Sequence, residues 1–207
     1  VVVCGGDGSF RGAQKLSQQG INCICIPCTI DNDIGCCEYT IGYDTATNTV
    51  VDMVGKLRDT CSSHDRCSVV EVMGRHAGWL TAASALANYA GAGPDLIYLP
   101  EVDFDMESFL ADVERIYKAT GKCMVVVSEG IHDKDGKFIS EAKTNGNDGF
   151  GHAQLGGLAN KLADVVRGRI ASAKVRAIEP SLLQRCATHL ASTTDAMEAY
   201  QAGKAAV

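Results

Sequence analysis

Short runs of β-branched and apolar residues alternate with amphipathic segments along the whole chain, and this alternation limits the possible fold more than any other feature. Parallel strands joined by crossover helices produce such a pattern, so the predicted class is α/β. The spacing predicts strands over Val1–Cys4, Ile21–Ile26, Cys67–Met73, Asp95–Leu99, Lys122–Ser128 and Lys174–Ile178. It predicts helices over Ser9–Gln19, Thr45–Arg58, Trp79–Tyr89, Met106–Ala119, Leu158–Ile170 and Thr193–Ala205. Gly20 and Gly121 stand where helix C-caps belong, and Asp44 and Asp105 where N-caps belong.

With 46% hydrophobic and 21% charged residues among 207, the chain is expected to bury a sizeable core, which excludes disordered and fibrous classes. Uninterrupted apolar stretches such as Cys123 to Val127 are far shorter than the roughly 18 residues of a membrane span. A net charge of −6 argues against a broad nucleic-acid surface. Ten cysteines in a chain of this length read as reduced thiols in a cytosolic setting. Of the clustered cysteines, only Cys25 and Cys28 have the spacing of a zinc half-site, so packing within a buried strand is the expectation for Cys23 and Cys25. The chain opens on Val1-Val2-Val3 without Met and closes on Lys204-Ala205-Ala206-Val207, so a piece of a longer protein is expected.

Two polar, glycine-rich stretches, Pro27 to Asp44 and Glu129 to Gly151, are candidate functional loops. The second, with Asp133, Asp135, Gly136, Asn145, Gly146, Asn147 and Gly149, reads equally as a surface excursion. Val3-Cys4-Gly5-Gly6-Asp7-Gly8-Ser9-Phe10-Arg11-Gly12 runs from a strand through a glycine turn into a helix, the layout of a phosphate cradle. A carboxylate inside such a cradle is useful only with a counter-ion, so Asp7 points to Mg²⁺. Arg11 occupies the third glycine position of a dinucleotide fingerprint, and no Gly-Lys-Ser/Thr follows, so neither of those motifs applies. The same loop without a ligand would be an ordinary tight turn. Pro27-Cys28-Thr29-Ile30-Asp31-Asn32-Asp33 follows a strand whose carboxyl end should lie beside that of the first, where α/β sheets build sites. Two carboxylates one residue apart can divide the work of accepting a proton and orienting its donor, although paired Asp residues also serve plain turns.

Gly5-Gly6-Asp7-Gly8-Ser9, Thr29-Ile30-Asp31-Asn32-Asp33 and Val72-Met73-Gly74-Arg75, with Glu129 after a strand, resemble the 6-phosphofructokinases in identity, order and spacing along essentially the whole chain. The resemblance implies two Rossmann-like three-layer α/β lobes with mostly parallel sheets. Residues 1–43 with 185–207 would belong to a nucleotide-binding lobe, and 44–184 to a sugar-phosphate-binding lobe. It also implies transfer of the γ-phosphoryl of ATP to the 1-hydroxyl of fructose 6-phosphate, with Mg²⁺ as cofactor. Asp31 matches the catalytic base, Asp33 its supporting carboxylate, Thr29 the contact to the reacting hydroxyl, and Arg75 the arginine on the transferring group. Met73, Gly74 and Glu129 match sugar-contacting positions. Arg66, Arg176 and Arg185 match the clamp on the 6-phosphate, the first two reaching in from a neighbouring subunit, which implies a homo-oligomer. Asp7 matches the Mg²⁺-associated aspartate, while Gly6, Gly8, Ser9 and Gly12 match positions around the nucleotide phosphates.

Departures are specific. Ser181-Leu182-Leu183-Gln184-Arg185-Cys186-Ala187 has Leu182 where the family carries a histidine, and Gly151-His152-Ala153-Gln154-Leu155-Gly156-Gly157 imitates the same phrase with Leu155 in place of arginine. His152 is therefore left without a role. Pyrophosphate-dependent members generally carry Asp at the position of Gly8 and Lys at that of Cys28, so ATP is the expected donor, with pyrophosphate the alternative. A kinase for NAD or lipids, or a non-catalytic nucleotide-binding relative, also remains open. Arg58 resembles one residue of a bacterial effector site.

Overall fold

The β-branched runs pair in parallel throughout, and the pairing sets the layers. The computed structural model describes residues 1–35, 37–140 and 155–207. In chain order the elements are β1 (Val2–Gly5), α1 (Asp7–Gln18), β2 (Ile24–Pro27), α2 (Tyr43–Ser63), β3 (Arg66–Val72), α3 (Trp79–Ala83), β4 (Leu96–Tyr98), α4 (Met106–Thr120), β5 (Cys123–Ser128), α5 (Leu158–Arg169), β6 (Lys174–Ile178) and α6 (Thr193–Ala206). Strands β4-β5-β3-β6 form one parallel sheet, and β1-β2 a second parallel pair.

Parallel sheets carry helices on both faces, so their central strands are apolar at every position rather than at alternate ones. β5 is buried along its whole length and β3 from Cys67 onward. One face packs Val69, Val125 and Val175 against Phe109 and Val113 of α4 and Leu158, Leu162 and Val166 of α5. The other packs Val70, Val72 and Val126 against Val50 and Val54 of α2 and Leu80 of α3.

Asp105 caps α4, accepting the Ser108 amide at 2.7 Å, and Gly121 closes that helix with φ 76°, both as predicted. Several predictions need correction. The second helix starts at Tyr43, which puts Asp44 in its first turn instead of at the cap. Its amino end is satisfied from α6: Asp195 accepts the Gly42 amide at 2.8 Å, the Thr45 amide at 2.7 Å and the Thr45 hydroxyl at 2.5 Å. The same helix runs past Arg58 to Ser63 because Cys61 is completely buried in the core. The third helix tightens into a 3-10 turn over Ser84–Ala90, where the Ser84 hydroxyl donates to the Thr81 carbonyl at 2.6 Å and competes with the α pattern. Two 3-10 turns, Ser181–Arg185 and Thr188–Leu190, have no counterpart in the predicted elements.

β2 begins three residues later than expected, and the strand is not buried: Ile24 is 49% exposed, Cys25 is exposed, and only Ile26 is covered. Cys23 and Cys25 therefore do not pack as core residues, because among the described residues β2 has only β1 as a strand neighbour. Arg58 is held by Asp95 at 2.5 Å, and the same carboxylate accepts the Met124 amide at 2.7 Å, which ties α2 to the sheet.

Since Asp195 serves three donors at the start of α2, Asp195→Ala is expected to lower unfolding free energy by about 3 kcal/mol. Asp195→Asn, with one acceptor oxygen left, should recover part of it. Urea denaturation of the three proteins checks this.

Candidate active site

The turn after β1 is built by close approach. A Cβ on Gly5 would lie 2.3 Å from the Ser9 hydroxyl oxygen, so any side chain there would displace the first turn of α1. A Cβ on Gly6 would stand 3.4 Å from Thr29, which shows how tightly this turn lies against the one after β2. The first backbone bond of α1 runs from the Phe10 amide to the Gly6 carbonyl at 3.0 Å, so the amides of Asp7, Gly8 and Ser9 have no acceptor in the helix. Asp7 pairs with Arg11 at 2.9 Å in the meantime, an exposed contact that is easily exchanged.

Register puts the second motif next to the first: Gly5 pairs with Pro27, and the Cys28 amide donates to the Gly5 carbonyl at 3.0 Å. The Thr29 hydroxyl donates to Asp31 at 3.3 Å, and Asn32 takes a left-handed conformation (φ 51°) between the two aspartates. At the end of β3, Gly74 has φ 141° and a Cβ there would come within 2.4 Å of the Ala77 carbonyl, so glycine is required. Its amide donates to Glu129 at 3.3 Å, and the Met73 amide to the buried Gln184 at 2.9 Å. Ser128 donates to the Gly74 carbonyl. A Cβ on Gly130 would fall on the Arg75 carbonyl oxygen, so the strand ends of β3 and β5 are pressed together beneath the Arg75 side chain.

These segments enclose a cavity of about 470 Å³. It is lined by Gly6, Asp7, Gly8 and Ser9 of the glycine turn, by Thr29, Asp31 and Asp33 after β2, and by Arg75, Glu129 and Arg185. Burial pushes the Asp31 carboxyl above its usual range, aided by Asp33 and opposed by Thr29, Arg75 and Arg185. Burial also raises Glu129, against the pull of the Gly74 amide and Arg75. The Arg75 Nε is buried and finds no hydrogen-bond partner among the described residues.

Not every predicted site residue reaches this cavity. Gly12 lies a turn further along α1, and Gly74 sits beneath Glu129. Met73 lines an adjoining cavity of about 210 Å³ with Glu71, Glu129, Glu179 and Gln184. Arg66 opens β3 and Arg176 pairs opposite Ser68, and neither lines the cavity of their own chain. Asp133 and Gly136 shape a tight turn, with Asp133 accepting the amides of Asp135 and Lys137 at 3.0 Å, and take no part in the site. His152 and the loop residues Asn145, Gly146, Asn147 and Gly149 lie outside the described residues. Among the described residues no group of three or more metal-binding side chains converges, and the clustered cysteines form none.

The sequence reading missed His76, which lines the cavity with its ring 6.0 Å from that of Phe138. Its place directly after Arg75, just past the carboxyl end of a parallel strand, was the available signal. It also missed Gln184, whose partner on Met73 is 111 positions away.

A glycine turn at a helix amino end, beside carboxylates and arginines from neighbouring strand ends, gives an α/β site whose free amides could receive a phosphate group. The family model for phosphofructokinase matches residues 1–207, and the chain belongs to the phosphofructokinase family. It is 46% identical over 189 residues to the ATP-dependent 6-phosphofructokinase of Buchnera aphidicola subsp. Acyrthosiphon pisum (strain Tuc7), covering 88% of this chain and 56% of the relative. It is 43% identical over 217 residues to the pyrophosphate–fructose 6-phosphate 1-phosphotransferase of Xanthomonas campestris pv. campestris (strain B100), covering 98% of this chain and 51% of the relative. The crystal structure of a pyrophosphate-dependent phosphofructokinase from Nitrosospira multiformis superposes with a TM-score of 0.82 at 33% identity, over 100% of this chain and 50% of that one. The chain thus spans about half the length of the relatives it matches.

In the adjoining cavity, Glu71 is 8% exposed and accepts the Ala159 amide at 2.9 Å. Burial lifts its carboxyl to about 6, helped by Glu179 and Glu129 and opposed by that amide. The folded protein therefore takes up this proton before the unfolded chain does, and stability rises as pH falls from about 6 to about 4.5. Glu71→Gln keeps the acceptor and removes the charge. It should raise stability at pH 7 by about 2 kcal/mol and flatten the dependence below pH 6, as measured by denaturation at stepped pH.

Proposed function

We propose that the protein is a 6-phosphofructokinase that transfers the γ-phosphoryl group of ATP to the 1-hydroxyl of D-fructose 6-phosphate, giving fructose 1,6-bisphosphate. The observation that carries this reading is the single cavity in which the half-buried Asp31, beside Thr29 and Asp33, faces Arg75 and Arg185 across from the glycine turn of α1. Phosphoryl transfer is mainly a matter of alignment and of neutralising charge on the transferred oxygens. The unbonded amides of α1 and the backbone at Gly6, Gly8 and Ser9 would receive the nucleotide phosphates. Asp31 would accept the proton of the 1-hydroxyl as that oxygen attacks, and burial holds its carboxyl above the usual aspartate range. Thr29 would hold the hydroxyl and Asp33 would support Asp31. Arg75 would span oxygens of the transferring group with a guanidinium that is not committed to another residue among those described.

Met73, Gly74 and Glu129 would contact the sugar, and Arg185 the 6-phosphate. Arg66 and Arg176, remote from the cavity of their own chain, would complete the clamp in a neighbouring subunit, which makes a homo-oligomer part of the proposal. The cavity wall carries Asp7, Asp31, Asp33 and Glu129 against Arg75 and Arg185, so a polyphosphate would enter favourably only with a counter-cation. Asp7 fits that duty, because Mg²⁺ is commonly held by one or two carboxylates together with substrate phosphates, and it would neutralise charge on the donor. In this reading residues 1–43 with 185–207 serve the nucleotide and 44–184 the sugar phosphate, and the protein works in the cytoplasm.

Pyrophosphate is the second reading for the donor, favoured by the Xanthomonas relative. Gly8 leaves room for an α-phosphate, and Cys28, whose thiol burial pushes up to about 11, has no cationic form with which to neutralise pyrophosphate. Both features support ATP.

A coupled assay of fructose 1,6-bisphosphate formation, run with ATP and with pyrophosphate on the 207-residue chain and on a longer form matched to its relatives, tests the proposal. Activity with ATP that Asp31→Asn lowers by about 10²–10⁴-fold is the expected result. Because the base must be deprotonated and burial raises Asp31, the acid limb of kcat/KM should lie above the ordinary aspartate value. Turnover with pyrophosphate alone would change the donor, and silence with both would overturn the reading.

A further inference from the structure

Asn32 stands between the two aspartates at the cavity floor but does not line the cavity. Its side chain turns the other way. The Asn32 Oδ1 accepts the Thr40 amide at 3.0 Å, and its Nδ2 donates to the Glu38 carbonyl at 3.3 Å. Thr40 is buried and donates its hydroxyl to the Thr29 carbonyl at 2.7 Å, so the same anchor grips the loop again just ahead of Asp31. The backbone at Asn32 has φ 51°, in the left-handed region that asparagine tolerates better than most side chains. One residue thus supplies both the turn and the bolts that hold it.

We propose that Asn32 is the positioning residue of the site, fixing the loop so that Asp31 and Asp33 face the cavity together. This rests on the phosphofructokinase reading, in which Asp31 accepts the proton. The inference follows from two independent features, the left-handed backbone and the two-ended amide anchor. Alignment of a base is worth large factors in rate, since a displacement near 1 Å can cost about 10²-fold.

The test compares Asn32→Gly, which keeps the backbone freedom and deletes the anchor, with Asn32→Asp, which keeps an acceptor for the Thr40 amide. Asn32→Gly should lower kcat about 10²-fold, with KM for both substrates within about threefold and the melting temperature within a few degrees. Asn32→Asp should retain more of kcat than Asn32→Gly. A readout apart from turnover is the carboxyl titration of Asp31 followed by carbon NMR, with Thr29, Asp33, Glu129, Arg75 and Arg185 as the groups that face it. In Asn32→Gly its midpoint should fall toward the ordinary value as the loop opens to water. An Asn32→Gly protein with wild-type kcat and wild-type Asp31 titration overturns the inference. So does one in which kcat, both KM values and the melting temperature fail together, because that marks a purely structural residue. A wild type inactive with both donors overturns the functional reading and this inference with it, whereas an active wild type with an unaffected Asn32→Gly variant overturns the inference alone.

Discussion

Parallel registration of strand ends is the constraint on which the site depends. Gly5 opposite Pro27 brings the glycine turn of α1 against Thr29, and Val72 opposite Ser128 brings Arg75 against Glu129. In each case a glycine allows the approach: Gly5 beneath Ser9, and Gly130 beneath the Arg75 carbonyl. Antiparallel pairing of the same strands would place these loops at opposite ends of the sheet. The chemistry-bearing side chains are therefore assembled by backbone geometry before any of them interacts with another.

Their charges then oppose one another in a confined volume. Asp31 and Glu129 both lose water and both resist ionisation, and Arg75 and Arg185 lower the cost for each. Removing either guanidinium would leave two partly buried carboxylates with less compensation, so the arginines matter to the resting protein as well as to any bound phosphate. The adjoining cavity shows the contrast. There Glu71 has like-charged neighbours in Glu129 and Glu179 and only backbone amides, Ala159 and Leu158, in its favour, and its carboxyl rises to about 6.

Much of what depended on periodicity or local chemistry was legible in the sequence. Val69, Val70, Val125 and Val126 form an unbroken apolar pattern that specifies covered parallel strands, and Asp105 with Gly121 brackets α4 through bonds made within a few residues. The cavity floor was legible because Thr29, Asp31 and Asp33 are close neighbours in the chain. What escaped was long-range. Asp195 caps α2 from about 150 positions away, and Gln184 reaches Met73 across 111, and no pattern near either residue announces such a partner. Cys23 and Cys25 misled in the reverse sense, because an apolar run says that a strand is suited to burial, while its neighbours decide whether it is covered.

These distant contacts link the end of the chain to the floor of the cavity. Ser192 donates its amide to the Thr45 hydroxyl at 3.0 Å, and Asp195 holds Gly42 and Thr45, so α6 secures the amino end of α2. Two residues before Gly42, Thr40 holds both Thr29 and Asn32. The Ile41 amide donates to the Pro27 carbonyl at 3.0 Å and closes the same loop from its other side. A displacement of α6 would therefore pass through Gly42 and Thr40 to the backbone on either side of Asp31. Each link is a short hydrogen bond, and Thr40 and Asp195 are both buried, where an unpaired polar group is costly and the bonds persist for that reason. The last helix of the chain is thus a brace for the segment that carries Asp31, even though none of its residues lines the cavity.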